Sequence, residues 1–327
     1  MLHTRVWKRK SYVVAICVAM TLMQACSNGG SQQFEPVLTP VSPNHPLASQ
    51  WLDGGATQEK LNTVSSLPTA IYIADALLNT VDVYDAHGNL TGTIADSVQN
   101  PAGLLVDGNQ NLWVANSTYV SMYPKAQMKP ARTLQDPNGS PDDVSVAKDG
   151  TVYVSNFFNS SVSVYAPGSN LPTRMLRDSK AQYVVGVVGD PDGNVFATIN
   201  DSTGVGHIDE FVDGKQSGFK RLPPRFSWAA DIKLDSAGNL LVLDGTQLSI
   251  TEFTKAGRPT GRSMSTFYQW NAFDISRDDK YIAGTDSLPD HDRGVLEEFP
   301  SSKHIARFEN NYGGGLTGAA VAPGRFP

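Results

Sequence analysis

A period of roughly forty residues, short alternating apolar runs, and a tight-turn signal inside each period predict an all-β chain folded as a six-bladed β-propeller of four-stranded blades. The period is plain in two phrases. Asn100-Pro101-Ala102-Gly103-Leu104-Leu105-Val106-Asp107-Gly108 precedes Leu112-Trp113-Val114-Ala115-Asn116. One period on, Ser140-Pro141-Asp142-Asp143-Val144-Ser145-Val146 and Asp149-Gly150 precede Val152-Tyr153-Val154-Ser155-Asn156. Further copies run over 186–199, 231–244 and 272–285, the last with Asp278-Asp279 in place of Asp-Gly.

Each copy has one grammar. An apolar run predicts the first strand, Asp-Gly turns it as a hairpin, and a β-branched and aromatic run ending in Asp or Asn predicts the second. Val81-Asp82-Val83-Tyr84 and Val162-Ser163-Val164-Tyr165 represent the third strand; Thr133-Leu134 and Met175-Leu176 belong to a ragged fourth. The first copy opens late, at Ile71-Tyr72-Ile73-Ala74-Asp75, which matches a second strand. Its missing partner is expected at the far end of the chain, in 315–321, so that the C-terminal strand joins the first blade and closes the ring.

Ahead of the repeats, Arg5, Lys8, Arg9 and Lys10 precede an apolar run over 11–25 that ends Leu22-Met23-Gln24-Ala25-Cys26. Fifteen residues are short for a membrane span, which needs about 20, and suit a signal peptide. The final residues resemble a bacterial lipobox, which implies cleavage before Cys26, its acylation, and a lipid anchor. Residues 26–67, rich in Ser, Gly, Gln and Pro, read as a flexible tether, with the propeller over 68–327. Ser27 after the cysteine resembles an outer-membrane address, facing the periplasm or the cell surface. Without the leader, 22 basic residues face 32 acidic ones, so nucleic acid is excluded as a partner. The region beyond Cys26 has no cysteine and hence no disulfide or thiolate metal site. A monomer is expected.

The phrases Tyr72-Ile73-Ala74-Asp75 with Val81-Asp82-Val83-Tyr84, and Asp149-Gly150-Thr151-Val152-Tyr153-Val154, resemble NHL-repeat and gluconolactonase-like propellers over 68–327. The resemblance implies that functional residues lie at one channel mouth, on segments leading into first strands and leaving second strands. It also implies a divalent cation held there by Glu, Asn and Asp. Pro141-Asp142 resembles the motif supplying that Asp. The matching places elsewhere hold Ala102, Val185, Ala230, Asn271 and Thr317, with no Glu, so the metal set reads as broken. If a cation binds at all, these oxygens suit Ca²⁺ or Mg²⁺.

The lead-in segments of blades four to six carry Tyr183, Trp228 and Trp270, three rings that could form a stacking platform for a flat ligand. Packing between blades is the plainer reading of the same rings. Asp143 and Asp231 take matching places and are expected to face the channel, where Gly103, Gly186 and Gly318 leave room. Asp75, Asn116, Asn156 and Asp244 end second strands, where Asx-turns explain them. The acidic run Asp286, Asp290, His291, Asp292 is a second, weaker place for a cation. No nucleophile elbow, phosphate loop or zincin motif occurs. The expectation is a non-catalytic scaffold that binds a glycan, peptide or protein at the channel mouth; the alternatives are a divalent-metal hydrolase, lactonase or lyase, and a structural partner in an envelope assembly.

Overall fold

The computed structural model describes residues 67–137, 139–215, 218–286, 293–309 and 315–324. Cys26, the signal peptide, nearly all of the tether, Asp290, His291 and Asp292 lie outside the described residues.

Twenty-four strands form six antiparallel sheets of four. Blade one contains β1 (Ala70–Asp75), β2 (Thr80–Tyr84) and β3 (Leu90–Ile94). Blade two is β4 (Leu104–Val106), β5 (Leu112–Ala115), β6 (Tyr119–Tyr123) and β7 (Arg132–Gln135). Blade three is β8 (Pro141–Val146), β9 (Val152–Asn156), β10 (Ser161–Tyr165) and β11 (Arg174–Arg177). Blade four is β12 (Ala181–Gly189), β13 (Val195–Asp201), β14 (Gly206–Phe211) and β15 (Phe219–Arg221). Blade five is β16 (Ala229–Leu234), β17 (Leu240–Asp244), β18 (Ser249–Phe253) and β19 (Pro259–Ser265). Blade six is β20 (Trp270–Ile275), β21 (Tyr281–Asp286), β22 (Arg293–Glu298) and β23 (Lys303–Glu309). The last strand, β24 (Leu316–Ala322), pairs with β1 in the register Ile71↔Val321 and Ile73↔Ala319. The ring therefore closes through the first blade, and neither strand is left as an open edge.

The inner hairpins form for the reason the repeat suggests. Gly150 and Gly193 take φ +87°, a conformation that a β-carbon disfavours. In blade six Asp279 occupies the place of that glycine at φ 58°, which a short polar side chain tolerates better than most. Asp107, Asp190 and Asp235 each accept backbone N–H bonds from the turn that follows, fixing the hairpin from its first residue.

Apolar faces of neighbouring blades meet in separate cores. Between blades two and three, Trp113, Val120 and Leu134 pack on Val144, Val152, Val154 and Tyr165. Between five and six, Leu241, Leu243 and Ile250 pack on Trp270, Phe273 and Ile282. Each core has two blades as its walls, so no blade is stable alone.

Candidate functional site

The inner strands β4, β8, β12, β16, β20 and β24 surround the central channel. Asp143 on β8 and Asp231 on β16 both point into it and both are buried. Between them stands Lys233, whose Nζ lies 2.9 Å from Asp143 Oδ2 and 2.9 Å from Asp231 Oδ1. Lys233 follows Asp231 by two residues, so strand alternation puts both on one face.

The same carboxylates staple one blade to the next. Val187 N–H donates to Asp143 Oδ2 at 3.1 Å, Phe273 N–H to Asp231 Oδ2 at 2.9 Å, and Val321 N–H to Asp274 Oδ2 at 2.9 Å. Desolvation pushes the Asp231 carboxyl up to about 7, against the pull of Lys233 and with the push of Asp143. The charges of Asp143, Asp231 and Asp274 hold the Lys233 ammonium above its ordinary range despite burial. This lysine carries its proton and is no nucleophile; the cluster is a buried ion network.

Asp142 sits next to that network. It is half-buried, its carboxylate makes no hydrogen bond among the described residues, and desolvation followed by Asp143 and Asp231 raises its pKa well above the carboxylate range. The glycines of the inner strands do not leave the open space expected of them. A β-carbon at Gly103 would stand 2.5 Å from Asp142 O and 2.7 Å from Asp143 Oδ1. One at Gly186 would stand 2.8 Å from Ile232 N, and one at Gly318 2.0 Å from Ala102 O. The room is taken by the neighbouring inner strand, which approaches closely because these positions have no side chain. What remains is a cavity of about 40 Å³, bordered by Ser145, Val188, Lys233, Asp274 and Gly324. A drug-sized ligand needs roughly 300–1,000 Å³, so this cavity has room for water alone.

The mouth is different. Tyr183, in the segment leading into the core of β12, stacks on Phe157 with centroids 4.5 Å apart and planes at 24°. Trp228, just before β16, leans on Tyr183 at 5.9 Å and on Phe157 at 6.5 Å. Phe158 meets Phe157 edge-on at 5.0 Å and is half exposed to solvent. The four rings bridge blades three, four and five. Tyr183 and Trp228 are both half-buried, and the Trp228 indole N–H has no partner among the described residues.

Trp270 does not join them. It is 2% exposed and packs between blades five and six, over Gly284, where a β-carbon would stand 2.2 Å from its ring. Exposed apolar side chains at the same mouth extend the surface instead: Leu77 and Leu78 in the β1–β2 connection, and Phe267 in the lead-in to β20.

Asp286, the described member of the acidic run, is buried at the end of β21. No group of three or more His, Cys, Asp or Glu among the described residues has metal-binding spacing. Lys233 and Phe157 are the residues that motif reasoning missed. Lys233 was marked by the alternation Asp231-x-Lys233 in an otherwise apolar strand, and Phe157-Phe158 by two aromatics in an outgoing turn.

No family model matches the chain, and no curated protein does. Solved structures do. One is a chain of the crystal structure of a nidogen/laminin complex, with a TM-score of 0.62 and 15% identity, covering 77% of this chain and 98% of that one. Another is a protein of unknown function from Bacteroides caccae, at 0.60 and 8%, covering 78% and 98%. At such identities the likeness is one of fold.

Proposed function

We propose that the protein is a cell-envelope lipoprotein, anchored through Cys26, that binds a glycan, peptide or protein partner on the mouth of its propeller without catalysing a reaction on it. The observation that carries this reading is the ring cluster of Tyr183, Phe157, Trp228 and Phe158, half-buried to exposed and spanning three blades. Aromatic side chains at a rim, one with an unspent N–H donor, suit docking by stacking and a few polar contacts. The inner strands approach closely at Gly103, Gly186 and Gly318 and the cavity bordered by Lys233 is small, which favours a partner that docks on the rim over a small substrate that enters. A propeller of this fold has been crystallised in a nidogen/laminin complex, a precedent for the fold in protein complexes.

The alternative of a gluconolactonase-like metal hydrolase or lyase draws on one observation, the unpartnered Asp142 carboxylate beside the channel. The Lys233 ammonium already stands 2.9 Å from both Asp143 and Asp231 and leaves them poor ligands for a second cation.

A photo-crosslinking amino acid in place of Phe158 tests the scaffold reading in cells. The expected result is an adduct from Phe158 and none from Met128, an exposed apolar residue in the β6–β7 connection at the opposite end of its blade. Equal labelling from both sites, or none from Phe158, overturns it. Loss of lipid label in Cys26→Ser checks the anchor in the same strain.

A further inference from the structure

Asn156 differs from its counterparts at the ends of the second strands of blades one, two, four and five. The Asp75 side chain accepts from Leu78 N–H at 2.8 Å, Asn116 Oδ1 from Gln99 N–H at 2.7 Å, and Asn200 Oδ1 from Ala229 N–H at 3.0 Å. Asp244 accepts from Ser227 and Gln247 N–H at 2.8 and 2.9 Å. Asn156 Oδ1 is fully buried and accepts nothing among the described residues, and its amide nitrogen is already committed to Ser163 Oγ at 2.9 Å.

Asp136 repeats the anomaly. Ile94-Ala95-Asp96, Leu134-Gln135-Asp136 and Leu176-Arg177-Asp178 put an aspartate just past the fourth strand in three successive blades. Asp96 is exposed to water, and Asp178 is met by the Arg221 guanidinium at 2.5 Å. Asp136 is 2% exposed, and neither of its carboxylate oxygens has a geometric hydrogen-bond partner among the described residues. The Tyr165 hydroxyl donates to Gln135 O at 3.2 Å and stands beside the Asp136 carboxylate: burial raises the tyrosine pKa, and the charge of Asp136 raises it further. Ser161, opposite Asn156 in the β9–β10 register and on the same face, is also buried with an unpartnered hydroxyl.

These oxygens converge. The point where a β-carbon would lie on Gly139 is 2.2 Å from Asn156 Oδ1 and 2.6 Å from Asp136 Oδ1, so only glycine fits beside them. Three orphaned oxygens in one buried spot, two of them a carboxylate, with the unpartnered Ser161 hydroxyl on the same face of the hairpin, leave a large desolvation penalty uncompensated. The matching aspartate of blade three meets that demand with the Arg221 guanidinium; here no side-chain cation is supplied among the described residues.

We propose that Asp136, Asn156 and Ser161 bind a calcium ion at the seam between blades two and three. A carboxylate, an amide oxygen and a hydroxyl are hard donors, which suit Ca²⁺ rather than a nitrogen- or sulfur-seeking metal. Water fills the remaining places of its six to eight ligands. A single carboxylate sets the affinity on the order of 10⁻⁴–10⁻³ M. The site is separate from the ring cluster and from Asp142, and its role is to lock the lead-in of blade three against the blade before it.

Thermal melts of the full chain in EDTA and in millimolar CaCl₂ test the proposal. Calcium is expected to raise the Tm by a few degrees, saturably. Asp136→Asn, which places an amide donor beside Asn156 Oδ1, is expected to melt at the same temperature in both buffers. Asn156→Asp supplies a second carboxylate: it should melt lower than wild type in EDTA and show a several-fold tighter calcium response. If the wild-type Tm is equal in both buffers, or if Asp136→Asn keeps the full calcium shift, the proposal fails. A rotated Asn156 amide bonded to Asp136 predicts an Asn156→Asp variant that calcium does not rescue, and that result also overturns it.

Discussion

Trp228 and Trp270 stand at the heads of inner strands in consecutive blades, and their surroundings differ through a one-residue difference in register and one residue in the strand alongside. Phe273 on β20 pairs with Gly284, whereas Ile232 on β16 pairs with Val242. Gly284 has no side chain, and the Trp270 ring occupies the volume that Val242 fills in blade five. Trp228 finds its second strand already filled. It rests instead near Gly245, with Cδ1 3.3 Å from where a β-carbon would lie, and turns toward Tyr183 and Phe157. The same residue type at the head of an inner strand is core in one blade and rim in the next: Trp270 pairs with Asp286 as Ala229 does with Asp244, one place further into the strand than Trp228, and it lies over a glycine.

The largest effect expected from this contrast is on the buried ring. Trp270→Ala opens a cavity over a glycine that cannot fill it, and the expected loss is about 3–5 kcal/mol. Denaturant unfolding of the variant measures it. A loss below about 1 kcal/mol would place Trp270 at the surface after all and erase the distinction between the two rings.

The buried ion network should match that figure by a different mechanism. Lys233→Met leaves Asp143 and Asp231 buried without their counter-charge, and removing one partner of a buried pair typically destabilises by about 3–5 kcal/mol. The pH dependence supplies the sign. Asp231, pushed up to about 7 chiefly by desolvation, holds its proton in the folded state at pH values where the unfolded chain has released it. Stability from this group is therefore greatest below the unfolded carboxylate pKa and falls as pH rises through about 7. Asp142, raised by burial and by its acidic neighbours, and Glu297, pushed up to about 7 by burial, act in the same direction. The melting temperature should rise on acidifying from about pH 8 to pH 5, and more steeply in Lys233→Met, where no ammonium opposes protonation. A flat profile in both proteins would mean that water enters the network.

How much of this was legible in the sequence follows from what each feature depends on. The blades and the closing strand rest on local pattern: alternation, Asp-Gly turns and a first repeat that starts one strand late, matched by β24 on β1. The mouth was legible in part. The propeller resemblance puts the lead-in segments of Tyr183 and Trp228 at one mouth, but it does not single out Phe157-Phe158, and which rings touch depends on how far neighbouring inner strands approach. That distance is set by Gly103, Gly186 and Gly318, read at first as open space in the channel and found to be contact points between strands. The fate of Trp270 was written in Gly284, fourteen residues away, and becomes readable only once the β20–β21 register is known. Asp143 and Asp231 were expected to face the channel; the lysine that pairs them lies in blade five, ninety residues from Asp143.

The smallest expected effect on stability belongs to Trp228, and it is the sharpest check of the contrast. Its ring is half-buried, leaning on Tyr183 and Phe157 and on the margin of the core between blades five and six, so Trp228→Ala leaves a dent that water can fill rather than a sealed cavity. The loss should stay near 1 kcal/mol, the size of an exposed aromatic contact. Tyr183 and Phe157 still stack on each other in the variant, so the rim keeps its shape. A partner that docks on these rings should nevertheless lose more than about 1 kcal/mol of binding, because the anchor and its indole N–H are both gone. Trp228→Phe separates the two contributions: it restores most of the stacking area and not the donor. Binding recovered by Phe assigns the contact to the ring face, and binding still lost assigns it to the N–H. If Trp228→Ala instead destabilises the fold as much as Trp270→Ala, both tryptophans are interblade core and the rim has no aromatic anchor in blade five.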